Sequence, residues 1–207
     1  GVWLVAGGTH NSLAVDFRDF VTVIEGPLNE ERSLAVLAEV GRLIPNKPIR
    51  YVVNTHHPFD HSGGLRTYMA QGATLVTHQN NREFYEDVLF TIGARTMMPD
   101  RFSTFYPYFS GGRRPLPIET VNQKYVISDG VKVLELHPVQ GLNHAEGMLL
   151  AYFPRERILV NADLYTPPAQ GAQAPMPNAN MRSLRANIQR LRLDVGQHVP
   201  IHGQPGP

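Results

Sequence analysis

The side chains best suited to chemistry stand together in Asn54-Thr55-His56-His57-Pro58-Phe59-Asp60-His61-Ser62-Gly63-Gly64. Three imidazoles and a carboxylate follow Tyr51-Val52-Val53, which reads as a short buried strand. The chain has no cysteine, so any metal must be held by His, Asp or Glu. Neutral imidazole and carboxylate are the ligands zinc takes when no thiolate is present. A strand would throw Asp60 and His61 to opposite faces, whereas a loop can aim both at one point. Gly63 and Gly64 then let the backbone turn tightly into a helix. The bland alternative is a polar surface loop with histidines clustered by chance. Three later residues weigh against it by repeating the placement. His144 follows the strand-like run Val131 to Leu136 across a Gly-containing loop, Asp163 ends Ile158-Leu159-Val160-Asn161-Ala162, and His202 ends Val199-Pro200-Ile201. Sheet-based folds build sites at strand ends. Taken singly each is an ordinary strand-end residue, and Asp163 could simply initiate a turn before Tyr165-Thr166-Pro167-Pro168.

Thr55-His56 with Asp60-His61-Ser62-Gly63-Gly64, then His144, Asp163 and His202 in that order, resembles the metallo-β-lactamase superfamily. The resemblance runs nearly the whole chain and includes the opening Asn11-Ser12-Leu13-Ala14-Val15 hairpin. It implies an α/β fold, a four-layered αββα sandwich of mixed sheets with helices outside and metals at the sheet edge. By resemblance, His56 and His144 bind a first metal, Asp60, His61 and His202 bind a second, and Asp163 bridges the two. The family's long motif is His-x-His-x-Asp-His, and its second His falls on Pro58 here. Proline offers no donor atom, so the first site is thinned and the second is the firmer expectation. His57 could substitute, but in an extended Thr55 to Pro58 it points away from His56, and Pro58 holds it extended. Zinc, as one or two ions, is the implied cofactor, with iron as the alternative because His and carboxylate suit both.

The expected function is metal-dependent hydrolysis of a small carbonyl substrate such as a lactam, lactone, thioester or other ester. A bound metal makes hydroxide available near neutral pH. Asp60 is the expected catalytic carboxylate, orienting the water and shuttling its proton. Two rivals remain: a degenerate metal- or ligand-binding domain of the same fold, and an iron-dependent redox enzyme. His10, on the hairpin that overhangs the site in this family, is a candidate substrate contact. Tyr165 could donate to a developing oxyanion, or pack beneath a Pro-rich loop. His78, His137 and His198 read as strand-end or core histidines. Phe105, Tyr106, Tyr108 and Phe109 form an aromatic run that could be a lid, a local core or a subunit contact.

The elements that must position these groups alternate between short strand-like runs and single helices, which favours two sheets with helices outside. Strands are expected at Val2 to Ala6, Ser12 to Phe17, Phe20 to Glu25 and Ala73 to Thr77, and later at Lys124 to Ile127, Val131 to Leu136, Met148 to Phe153, Arg157 to Val160 and Val199 to His202. Asn29 is a plausible N-cap for a helix from Glu30 to Ile44, and further helices are expected at Leu65 to Ala70, Asn80 to Phe90 and Met181 to Leu193. Thr91 to Asn122 and Pro167 to Asn180 read as irregular loops that choose the substrate. Length suits one domain over 1–207, and both ends look like cuts inside a larger protein. The net charge of +1 and scattered basic residues give no reason to expect nucleic acid or an acidic membrane. No apolar run is long enough to span a bilayer. The expected partner is a small-molecule substrate, with a homo-oligomer as an option. Lack of cysteine and the resemblance lean toward a bacterial extracytoplasmic setting.

Overall fold

Most strands of this chain are apolar on both sides, and the architecture shows why. The computed structural model describes residues 1–90, 98–105, 108–109, 112–113, 116–142 and 144–207. The chain runs through β1 (Val2–Val5), β2 (Ser12–Asp16), β3 (Val21–Ile24), α1 (Glu30–Leu43), β4 (Ile49–Val53), α2 (Phe59–Ser62), α3 (Leu65–Ala70) and β5 (Thr74–His78). A 3-10 turn at Gln79–Asn81, α4 (Arg82–Phe84) and a π-helical turn at Tyr85–Leu89 follow. Then come α5 (Arg101–Phe105), β6 (Tyr108–Phe109), β7 (Gly112–Arg113), β8 (Ile118–Val121), β9 (Tyr125–Ser128) and β10 (Val133–Pro138). The last elements are β11 (Leu149–Phe153), β12 (Ile158–Asn161), α6 (Ala179–Leu191) and β13 (Gln197–Pro200).

One sheet has the order β1-β2-β3-β4-β5-β8, and the other β13-β12-β11-β10-β9. Both are mixed: the pairs β3–β4, β4–β5, β5–β8 and β12–β13 are parallel, while the remaining pairs are antiparallel. The faces follow from the period of two. Leu13, Val15, Val53 and Val76 meet Leu134, Leu136, Ala151 and Phe153 between the sheets. Their neighbours Ala14, Val52 and Leu75 face the other way, against Val36, Val40, Leu65 and Met69 of α1 and α3. On the second sheet Leu150, Tyr152 and Leu159 pack on Leu184 and Ile188 of α6. The result is the four-layered αββα sandwich with helices outside. Each fully buried Leu, Val or Phe is worth roughly 1.5–3 kcal/mol, so the central layer is the main stabilising mass.

Local signals were obeyed where they were strong. The Asn29 side chain accepts from Arg32 N (2.9 Å), Glu30 and Glu31 sit in the first turn of α1 and Arg42 in its last, as the helix dipole prefers. Two expectations need correcting. The stretch from Thr91 to Asn122 is not a plain loop: α5, a small hairpin and β8 lie in it, and β8 pairs parallel with β5 at the sheet edge. The segment between Thr55 and Gly64 contains the single helical turn α2, which carries Asp60 and His61. The aromatic run from Phe105 to Phe109 falls outside the residues whose side chains are described. No helix among the described residues is long and apolar enough to cross a membrane.

Candidate metal centre

The parallel strands β3 and β4 end on the same edge, as do β12 and β13, and the site is assembled there. Glu25 and the Asn54-Thr55-His56 run leave the first sheet, and Asp163 and His202 leave the second. His144 comes from the β10–β11 loop and His10 from the β1–β2 turn. Backbone bonds join the contributing loops: Leu149 N donates to Thr55 O (2.8 Å), Ile201 N to Asn161 O (2.9 Å) and Asn11 N to Ile201 O (2.8 Å).

Gly63 and Gly64 serve this junction in a way unlike the sequence expectation. Their φ values are −62° and −95°, which any residue adopts. Glycine is required by close approach: a Cβ on Gly63 would lie 2.1 Å from Leu28 O, and one on Gly64 would lie 2.2 Å from Ser33 Oγ. Ser33 Oγ instead donates to Gly64 O (3.0 Å), locking α1 to the turn that carries Asp60 and His61.

Asp163 is the hub. Its Oδ2 lies 3.0 Å from His56 Nε2, 3.2 Å from His61 Nε2 and 2.9 Å from His144 Nε2, and its Oδ1 lies 2.9 Å from His202 Nε2. Its backbone is left-handed (φ 59°), a conformation Asp tolerates better than most residues and one often kept at functional sites. Asn180 Nδ2 donates to its carbonyl (2.9 Å) and holds the turn. Asp60 Oδ2 lies 3.5 Å from His61 Nε2 and 3.4 Å from His10 Nε2, with half its side chain open to solvent.

The hydrogen bonds behind the rings decide which nitrogen faces the centre. Thr55 Oγ1 donates to Glu25 Oε2, so it must accept from His56 Nδ1 (3.0 Å). His61 Nδ1 donates to Glu25 Oε2 (3.4 Å), and His202 Nδ1 to Thr9 O (3.1 Å). All three rings therefore present a bare Nε2 to the centre when neutral. The Nε2 atoms of His61 and His202 stand 3.2 Å apart. His56 Nε2 is buried and has no hydrogen-bond partner of acceptable geometry. A divalent ion coordinated by imidazole and carboxylate would satisfy these nitrogens together. The donor set therefore fits a metal ion, and the clusters His56, His61, Asp163 and His10, Asp60, His61, His202 are able to hold one.

The electrostatics agree. Burial opposes ionisation of Asp163, but His202, His56 and His61 overcome it and hold its carboxyl far below the usual range. Burial likewise disfavours a charged His61, yet Asp163 and Glu25 prevail and push its pKa up to about 10. Burial keeps His56 and His10 below their ordinary value, hence neutral and ready to ligate.

All six ligands expected from sequence are brought together. His57 is not among them: its Nδ1 faces Asn81 Oδ1 (3.2 Å) and its ring packs near Phe84. Tyr165 flanks the centre, but its ring sits edge-on against His198, with centroids 5.1 Å apart. His10 lies among the ligands themselves. Glu25, fully buried behind His61 and Thr55, was missed by sequence reasoning; the available signal was a carboxylate ending an apolar strand. A groove of about 500 Å³, walled by His144, Asp163, Tyr165, Asn180, Met181 and His202, opens beside the centre.

Comparison with known proteins places this geometry. Residues 5–196 match the family description "Metallo-beta-lactamase superfamily". A metallo-β-lactamase from Pontibacter korlensis superposes with a TM-score of 0.68 at 18% identity, covering 99% of this chain and 86% of that one. A B3 metallo-β-lactamase with an active-site glutamic acid superposes with a TM-score of 0.63, also at 18% identity, covering 99% of this chain and 79% of that one. In sequence, the chain is 24% identical over 204 residues to the 2,4-dinitroanisole O-demethylase subunit alpha of Nocardioides sp. (strain JS1661). The match takes in 97% of this chain and 55% of the relative, so the chain spans about half that protein's length. With residues 5–196 matched by the family, this chain belongs to the metallo-β-lactamase superfamily.

Proposed function

We propose that the chain is a metal-dependent hydrolase, with zinc as its ion, acting on a small electrophilic substrate. The observation that carries this reading is the convergence of four His Nε2 atoms on the Asp163 carboxylate. In this reading His56 and His144 serve a first position, Asp60, His61 and His202 a second, and Asp163 bridges. A divalent ion held by these residues would supply hydroxide near neutral pH and Lewis-acid stabilisation of a developing oxyanion. Asp60, half open to solvent beside His61, takes the water's proton and passes it to the leaving group. Burial opposes its ionisation, but His61 and His10 outweigh it and hold the Asp60 carboxyl below its ordinary value. The groove beside Asp163 and His202 has the size of a small-molecule site and receives the substrate.

Lactams, lactones, thioesters and other esters all fit this chemistry. The name of the O-demethylase relative favours a second class, activated aryl methyl ethers. There, hydroxide adds to the electron-poor ring carbon and methanol leaves, so water and ether yield phenol and methanol without an oxidant.

The test is metal analysis of protein purified without added metal, joined to turnover of a chromogenic lactam, lactone, thioester, ester and dinitroanisole panel. Bound zinc with turnover that chelation abolishes is the expected result. Metal without turnover of any member points to a binding domain, and iron with a visible chromophore to redox chemistry.

A further inference from the structure

His10 stands in the wrong place for a residue that only touches substrate. Its side chain is 7% exposed, and its Nε2 faces Asp60 Oδ2 at 3.4 Å. Its ring centroid lies 4.1 Å from that of His202 and 5.3 Å from that of His61. One donor atom from each of His10, Asp60, His61 and His202 falls within 4.8 Å of all the others. A tetrahedral zinc site with arms of about 2.0–2.1 Å has donor–donor edges of about 3.3–3.4 Å. The edges His10–Asp60 (3.4 Å), His61–Asp60 (3.5 Å) and His61–His202 (3.2 Å) match that figure.

We infer that His10 is a metal ligand, giving with Asp60, His61 and His202 three nitrogens and one oxygen beside the bridging Asp163 for a divalent ion of the zinc, cobalt or iron class. This rests on the metal-centre reading above and deepens it. The sequence places His10 on a turn that was expected merely to overhang the site. The structure fixes that turn firmly. Arg32 Nη2 donates to Val5 O (2.8 Å) and His10 O (3.2 Å). Asn11 Nδ2 donates to Pro200 O (3.1 Å) and Gly203 O (2.7 Å), tying the turn to the loop that carries His202. Thr9 serves both rings: its Oγ1 engages His10 Nδ1 (2.8 Å) and its carbonyl accepts from His202 Nδ1 (3.1 Å). His10 Nε2 is thereby the nitrogen left for an ion, and an outer shell of the kind metal sites use is already in place. The chain that lacks a ring nitrogen at Pro58 thus gains one from a different strand turn, at the other metal position. Three nitrogens and one oxygen suit the borderline divalent ions rather than magnesium or calcium.

The test uses the whole chain labelled with 15N-histidine and loaded with 113Cd. The Nε2 resonance of His10, assigned by its loss in His10→Gln, is expected to split by coupling to cadmium, as those of His61 and His202 do. An uncoupled His10 beside coupled His61 and His202 overturns the inference and leaves the metal centre standing. Absence of coupling at all three overturns both. In parallel, His10→Gln is expected to weaken cobalt(II) binding at this site by more than the roughly 10–100-fold typical of losing an outer-shell partner, and Thr9→Val by about that 10–100-fold itself. Equal thermal melts of the metal-free proteins exclude misfolding, and unchanged cobalt affinity in a folded His10→Gln overturns the inference.

Discussion

Glu25 sits in a left-handed backbone conformation (φ 75°), is fully buried, and spends both oxygens on the site. Asn54 Nδ2 donates to Oε1 (2.8 Å), and Thr55 Oγ1 and His61 Nδ1 converge on Oε2. Glu25→Gln keeps the shape but brings an amide NH₂ against at least one of these donors. The variant is expected to lose about 1–3 kcal/mol in urea unfolding and roughly 10–100-fold in metal affinity by chelator competition. Wild-type affinity would show that ring orientation does not depend on this carboxylate. Pro58 raises the complementary case. Its carbonyl accepts from His61 N (2.9 Å) and Ser62 N (3.0 Å), bonds that a histidine in its place can keep. Pro58→His is therefore expected to raise bound metal by about one ion per chain, read by elemental analysis. Unchanged stoichiometry would mean that the side chain of residue 58 does not face the first position. The residues that converge on Asp163 were legible in the sequence because most of them close an apolar run or sit in a dense polar motif, and the family resemblance ordered them. Glu25 was not, because its role depends on His61 and Thr55 packing against it from another strand.

At the scale of elements, the junction between α1 and the α2–α3 turn is the tightest contact behind the site. Gly64→Ala sets a methyl against Ser33 Oγ and Asn29 O, whereas Gly41, inside α1, has open space around it. Gly64→Ala is expected to cost about 1–3 kcal/mol, and Gly41→Ala to gain about 0.5–1 kcal/mol, both read from urea midpoints. Equal shifts would show that the turn relaxes freely. A second fastening holds α5: Arg66 of α3 makes a forked bond to Asp100 (2.5 and 2.9 Å) and also reaches Leu89 O (2.7 Å) and Ser103 Oγ (2.8 Å). Burial opposes ionisation of Asp100, but Arg66 and Ser103 prevail and bring its pKa down to about 2. The folded value lies below the unfolded one, so this stabilisation is complete above about pH 4 and is lost as pH falls toward 2. Metal-free Asp100→Asn is expected to be less stable than wild type at neutral pH and to converge with it in that acid window. Strands such as β2, β11 and β12 were readable within one or two residues because their apolar runs are long. β8 was not, since Pro115, Pro117 and nearby glycines mask it, and its strand character comes from pairing with β5. The single turn α2 has no period to read.

For the molecule as a whole, the centre lies across the seam between the two sheets. His56, Asp60 and His61 arrive from the first sheet, and His144, Asp163 and His202 from the second. The apolar layer between the sheets holds the halves together along their length, but at this edge the contacts are polar. An ion bound here would act as a cross-link that the unfolded chain cannot reproduce, so its binding free energy would appear as folding stability. At a free concentration about 100 times the dissociation constant, the gain is about 2.7 kcal/mol. For a chain of this size that amounts to roughly 5–10 °C in melting temperature. Calorimetry of metal-loaded and chelator-stripped protein is therefore expected to show a drop of that order on stripping, restored by added zinc. Asp163→Asn should abolish most of the difference: Asn tolerates the left-handed backbone at this position, so the fold persists while the bridging charge is gone. A stripped protein that melts where the loaded one does would mean that the two sheets do not share an ion, and that the convergence of imidazoles on Asp163 serves some other end.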